Sequence, residues 1–179
     1  MPALELFARL DGVDAATLTP LQRILLITDG TLTEILEAHY LERIELDKIS
    51  ERILTIGECD SSLAGEAGEP VLERKINLRG ARSGNKYVYA ESLVLVSRLD
   101  PALRGELLGT NVPLGRLWRH HRLETYKELV SLARREARQL HRHLDCAADA
   151  GVLARSYDVF SSRRLVMRIA EYFPAGGRD

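Results

Sequence analysis

The stretch RLVMRIAEYF at 164–173, closed by Pro174, constrains the fold most, because it reads as a strand with one apolar face. Successive side chains of a strand point to opposite faces, so residues two apart share one. Leu165, Met167, Ile169, Glu171 and Phe173 therefore lie together, with Arg168 and Tyr172 behind them. Two more stretches, VLERKINL at 71–78 and KYVYAESLVLVS at 86–97, flank the turn-like RGARSGNK at 79–86 and read as a hairpin with a long connection. In the first of them Leu72, Arg74, Ile76 and Leu78 share a face, opposite Glu73, Lys75 and Asn77.

Arg74 and Glu171 thus stand on inward, apolar faces, and a buried charge costs several kcal/mol unless it is paired. Two explanations fit. Arg74 and Glu171 form a buried structural ion pair, or they belong to an enclosed polar site. In the second, Arg74 grips a carboxylate bidentately and Glu171, set among hydrophobic neighbours, supplies or receives a proton. Alternation alone leaves both open.

Elsewhere the period changes. Thr19-Pro20 opens a helix with Leu21, Ile24, Leu25 and Leu26 on its apolar face, and Asp29-Gly30 breaks it. Thr31 and Glu34 suggest a capping box for a second helix carrying Leu32, Ile35, Leu36 and Tyr40. Ile44 and Leu46, then Ile53, Leu54 and Ile56, suggest short strands; 57–70 is loop by composition. A short helix near 101–108, a helical LGRLWRHH and a helical 134–149 stopped by Gly151 follow. Residues 122–133 fit strand and helix equally. This mixed order predicts a single α+β domain on an antiparallel sheet.

Other function classes lose support. The net charge of -1 gives no global field for nucleic acid, and the stripe Arg134, Arg135, Arg138 and Arg142 comes without a recognised binding motif. No apolar run approaches the roughly 20 residues that span a bilayer, and the acidic MPALELFARLDG is unlike a secretion signal, so a cytoplasmic location is expected. Cys59 and Cys146 read as reduced thiols. His120-His121 and His141-x-His143-x-x-Cys146 lack zinc-site spacing, so no metal is expected. No G-x-S-x-G, P-loop or G-x-G-x-x-G occurs, and Ser61-Ser62 and Ser161-Ser162 read as turn residues.

Five segments in order, LITDGTLTEILEA (26–38), VLERKINLRG (71–80), YAESLVLVSRL (89–99), TNVPLGRLW (110–118) and RLVMRIAEYFP (164–174), resemble the chorismate pyruvate-lyase family, over roughly residues 20–174. The likeness is greatest to the bacterial and archaeal branch that supplies 4-hydroxybenzoate to secondary pathways. The resemblance implies an antiparallel sheet of about six strands, helices on its flank, a ligand enclosed beneath flaps, and strand for 122–133. It implies that Arg74 and the backbone N–H of Leu114 hold the aromatic carboxylate, that Glu171 lies near the ring oxygens, and that Leu32 closes over the ligand. The implied reaction takes chorismate to 4-hydroxybenzoate and pyruvate without metal or organic cofactor, Glu171 assisting departure of the ether oxygen in its protonated form. The 79–86 connection, with Arg79, Arg82 and Lys86, is longer than in ubiquinone-pathway members and bears on the lid. A non-catalytic aromatic-acid module related to regulator effector domains, or a lyase acting on a chorismate relative or giving another hydroxybenzoate, are the alternatives. A regulator would need a separate DNA-binding partner, since fewer than 20 residues precede the resemblance, and a monomer is the default state.

Overall fold

The computed structural model describes residues 14–58, 63–110 and 112–176, with Glu5 and Phe7. Cys59, Ser61, Ser62 and Asn111 fall outside these. Six strands, β1 (Ile44–Thr55), β2 (Pro70–Gly80), β3 (Lys86–Leu95), β4 (Thr125–Glu136), β5 (Gly151–Ser161) and β6 (Arg164–Pro174), form one sheet in the order β1-β2-β3-β6-β5-β4. Every neighbouring pair is antiparallel. Among the described residues from 14 onward the α-helices are α1 (Pro20–Ile27), α2 (Leu32–Tyr40), α3 (Pro101–Gly109), α4 (Leu114–His120) and the single turn α5 (His141–Leu144).

Local chemistry explains the helix ends. Thr19 accepts from the Gln22 N–H at 3.2 Å while the Gln22 side chain accepts from the Thr19 N–H at 3.0 Å, a reciprocal cap that satisfies two orphan donors of α1. Asp100 caps α3 through the Ala102 N–H at 2.9 Å, with Pro101 at the first helical position. At the β5–β6 turn Ser162 and Arg163 both take positive φ, as a two-residue hairpin requires.

The register sorts the sheet's helix-covered face into cross-strand rows. At one end Leu78, Val88, Phe173 and Leu153 line up and pack with Leu25 and Leu26 of α1 and Leu32 and Leu36 of α2. Toward the other end Leu72, Val94, Met167 and Val159 pack beneath Leu103 and Leu107 of α3 and Leu117 of α4. Each buried Leu in these clusters contributes about 1.5–3 kcal/mol of transfer free energy. Between the two apolar ends run two rows of different character: Arg74, Ser92, Ile169 and Tyr157, then Ile76, Ala90, Glu171 and Arg155. The sheet's opposite face is covered in part by α5, whose Leu144 packs with Tyr89, Ala137 and Val152.

The structure departs from the sequence reading at four places. The strand material at 44–56 is one strand of 12 residues bent by a bulge between Lys48 and Ser50; its polar middle is that of a sheet edge with one face in water. The helix expected over 134–149 is mostly absent: residues 134–136 continue β4, and only a 3-10 turn and α5 are helical. Gly151 opens β5 rather than ending a helix, since pairing of 125–136 with 151–161 outweighs local helix propensity. Thr31 makes no side-chain capping bond to α2, and Glu34 pairs with Arg119 instead of closing a box.

The long 79–86 connection is clasped to the segment after α2. Glu42 accepts from the N–H groups of Arg82 and Ser83, each at 3.0 Å, and from the hydroxyls of Ser83 and Tyr87, each at 2.7 Å. These bonds, Tyr87 first, lower its carboxyl pKa to about 2. A side chain at Gly80 would collide with that carboxylate and with the Ser83 hydroxyl, so a substitution there would displace the clasp.

Candidate active site

Where the two polar rows cross the sheet, the residues between the charged positions are small. Ala90 and Ser92 of β3 separate Arg74 of β2 from Glu171 of β6, and with neighbouring strands about 4.8 Å apart the two charged residues stand roughly 10 Å or more from each other at the backbone. The space over the small pair is a cavity of about 550 Å³. Its floor includes Arg74, Ile76, Ala90, Ser92, Ile169 and Glu171; the N-terminal turns of α2 and α4 cover it through Leu32 and Leu114. All four residues singled out in the sequence, Arg74, Glu171, Leu32 and Leu114, line this one cavity. Among the described residues none of 79–86 lines it, so that connection is no part of its cover.

The structure brings no Arg74–Glu171 ion pair. Arg74 is 2% exposed, and the nearest carboxylate is Glu51 of β1, whose Oε2 lies 3.4 Å from Nε and 3.0 Å from Lys48 Nζ. Among the described residues neither Nε nor Nη2 of Arg74 has a hydrogen-bond partner. Burial lowers the guanidinium pKa, with Glu51 opposing. A buried guanidinium left this way, lining a cavity, is an arginine with donors in reserve for an anion.

Glu171 is not surrounded by hydrophobic groups alone. Arg155, its cross-strand neighbour on β5, donates from Nε to Oε2 at 2.5 Å, and the Tyr157 hydroxyl donates to Oε1 at 2.9 Å. Arg155 also donates from Nη1 to the Thr28 carbonyl at 2.7 Å, tying this centre to the α1–α2 turn. Burial, then the Glu171 charge, pushes the Tyr157 hydroxyl pKa well up, so it stays a neutral donor. From β4, Lys127 reaches over the ring of Tyr157 at 5.3 Å and that of Trp118 at 5.5 Å, and donates to the carbonyls of Asp29 and Gly30. Burial lowers its pKa, with Glu171 opposing.

Sequence reading missed Arg155, Tyr157 and Lys127. The alternation Leu153, Arg155, Tyr157, Val159 carried the same signal that exposed Arg74 and Glu171, once 151–161 is taken as a strand. His120 and His121 converge on one oxygen of Glu106, at 3.3 and 2.7 Å, and join α4 to α3 away from the cavity.

Comparison with known proteins decides the family. The model of the Rv2949c-like chorismate pyruvate-lyases matches residues 26–176. The chain belongs to this family. The chorismate pyruvate-lyase of Mycobacterium leprae is 32% identical over 159 residues, covering 84% of this chain and 72% of that protein. The Mycobacterium tuberculosis (H37Rv) chorismate pyruvate-lyase is 31% identical over 157 residues, 84% of this chain and 78% of that one. Among solved structures, the effector domain of PhnF from Mycobacterium smegmatis shares the fold, with a TM-score of 0.64 at 19% identity over 86% of this chain and 93% of that one. The segment matched to the chorismate pyruvate-lyase family includes Arg74, Leu114, Arg155 and Glu171 and both helical covers.

The two covers of this family member meet at a glycine. A Cβ on Gly115 would lie 2.7 Å from Thr31 Cγ2, too close for an ordinary contact. Gly115→Ala is therefore expected to destabilise the protein by about 1–3 kcal/mol through overpacking. Adding Thr31→Ser, which deletes that methyl, should recover most of the loss in thermal unfolding.

Proposed function

We propose that this protein is a chorismate pyruvate-lyase, splitting chorismate into 4-hydroxybenzoate and pyruvate. One observation carries the reading: a buried guanidinium whose Nε and Nη2 make no hydrogen bond among the described residues stands at one side of a partly open cavity, and an oriented carboxylate stands at the other. A ring bearing a carboxylate at one end and oxygen substituents at the other suits that polarity.

In this reading Arg74 and the Leu114 N–H hold the ring carboxylate. Leu114 is the first residue of α4, where an N–H has no intrahelical acceptor. Leu32 closes over the ring. The bond between the ring carbon and the ether oxygen breaks, and its electron pair leaves with enolpyruvate. The neighbouring hydroxyl-bearing carbon loses its hydrogen as a proton, and the ring becomes aromatic. Enolpyruvate then takes up a proton to become pyruvate, so atoms and charge balance. Aromatisation supplies the driving force, and the reaction as written calls for neither metal nor organic cofactor. Glu171 is an acceptor in this scheme rather than the protonated acid expected from sequence. Its ion pair with Arg155 and its bond from Tyr157 fix it to receive the hydrogen bond of the ring hydroxyl and set the ring for elimination.

The test is incubation of the purified protein with chorismate, following pyruvate and aromatic product by chromatography. Equal amounts of pyruvate and 4-hydroxybenzoate are expected. Tight binding of 4-hydroxybenzoate without pyruvate would instead support a non-catalytic aromatic-acid module, the reading that the fold shared with the PhnF effector domain favours. Pyruvate with another hydroxybenzoate would keep the lyase and change its regiochemistry.

A further inference from the structure

We propose that the cavity contains a second anion position, centred on Lys127, which takes the carboxylate of the enolpyruvyl side chain. The inference rests on the chorismate reading and extends it, because that substrate carries two carboxylates whereas its aromatic product carries one. Arg74 accounts for the ring carboxylate alone.

Lys127 and Arg74 approach from opposite sides of the site. Their strands, β4 and β2, are separated by β5, β6 and β3, about 19 Å at the backbone. The Lys127 ammonium leans inward over Tyr157 of β5, toward the Glu171 end of the cavity. A ring anchored by its carboxylate at Arg74 therefore directs its oxygen substituents toward Lys127 and Glu171. An ammonium has three N–H donors. Two are taken by the carbonyls of Asp29 and Gly30, which leaves the third for a ligand.

The charges lining the cavity point the same way. Among the described residues Arg74, Arg119, Arg122 and Lys127 are cationic and Asp29 and Glu171 acidic, and Glu171 is already answered by Arg155. Arg119 pairs with Glu34 at the rim. Neutral carbonyls and ring faces compensate a half-buried ammonium less fully than a carboxylate does. A ligand with a single carboxylate at Arg74 leaves Lys127 with the fields of Glu171 and Asp29 but no ion pair among the described residues, and a dianion supplies one.

Two non-reacting probes separate this role from a purely structural one: 4-hydroxybenzoate, with one carboxylate, and 3-carboxymethoxy-4-hydroxybenzoate, with a second on an ether arm. Their affinities are measured by calorimetry for the wild type, Lys127→Gln and Lys127→Arg. The Gln variant is expected to bind the dicarboxylate about 10- to 100-fold more weakly and the monocarboxylate within about twofold of wild type, with Arg restoring part of the loss. KM for chorismate should rise with the dicarboxylate Kd. Equal weakening of both probes would mean that Lys127 only holds the α1–α2 turn in place, and no weakening would mean that it meets no anion; either result overturns the proposal. A wild type that binds both probes and shows the Lys127 discrimination, yet releases no pyruvate from chorismate, would refute the lyase reading and leave the two-anion site standing.

Discussion

Arg74→Met is expected to cut pyruvate release by about 10²- to 10⁴-fold while leaving the protein at least as stable as the wild type. The two effects separate because Arg74 is poorly compensated where it lies. It is buried, the Glu51 carboxylate is 3.4 Å away, and among the described residues Nε and Nη2 have no hydrogen-bond partner. A buried charge in that condition costs several kcal/mol, and an apolar replacement is often neutral or stabilising. Glu51, the group that loses its neighbour, keeps the ion pair of its Oε2 with Lys48 at 3.0 Å, though that oxygen has no hydrogen-bond partner among the described residues. On the catalytic side, two charge-assisted bonds to a carboxylate contribute about 1.5–3 kcal/mol each, so kcat/KM should fall by about 10²- to 10⁴-fold. Thermal unfolding and steady-state kinetics on the same preparation check both halves. A stability loss of about 3–5 kcal/mol, the signature of a broken buried pair, would show that Arg74 serves the fold through Glu51 and not a ligand.

That contrast bears on what alternation in a sequence can reveal. Arg74 and Glu171 were legible because each sits in a strand whose apolar periodicity is strict and whose ends are marked, by Pro70 and Gly80 in β2 and by Pro174 in β6. Both charges do face inward, at 2% and 6% exposure. Their partners were not legible. Arg155 and Tyr157 lie on β5, and the stretch before it, LARREARQLHRHLDCAADA, is rich in Ala, Leu and Arg, all good helix formers. Reading that stretch as a helix turned Gly151 into a stop signal and left β5 without an assignment. Ladder pairing along 11 register positions with β4 outweighs the local preference, which is a tertiary effect that no window of sequence contains. The Thr31–Glu34 box failed for a similar reason: Gly115 brings α4 against Thr31, and Arg119 from the same helix draws Glu34 away. Lys127 was hidden because its segment fits two periods, and its role depends on rings and carbonyls supplied by β5, α4 and the α1–α2 turn.

Glu171 provides the sharper experiment, because the sequence suggested one role for it and the structure suggests another. Glu171→Gln is expected to cut turnover by at least about 10²-fold and also to cost about 3–5 kcal/mol, the usual penalty for removing one partner of a buried pair. For a chain of this size that corresponds to a fall in Tm of roughly 6–20 °C. The penalty arises at Arg155, which is 3% exposed, has no hydrogen-bond partner at Nη2 among the described residues, and would be left with two neutral acceptors, the Thr28 carbonyl and the amide oxygen of the introduced glutamine, in place of a carboxylate. Stability and chemistry are thus entangled in the single variant, and the double variant Glu171→Gln with Arg155→Gln disentangles them. It removes both charges, so the unfolding penalty should shrink to about 1–2 kcal/mol, within the range of a typical core substitution. Turnover should stay low, because the charged acceptor that fixes the ring hydroxyl is still missing. If turnover instead recovers with stability, Glu171 acts only by holding β5 against β6, and the reaction is carried by Arg74 and the rest of the cavity.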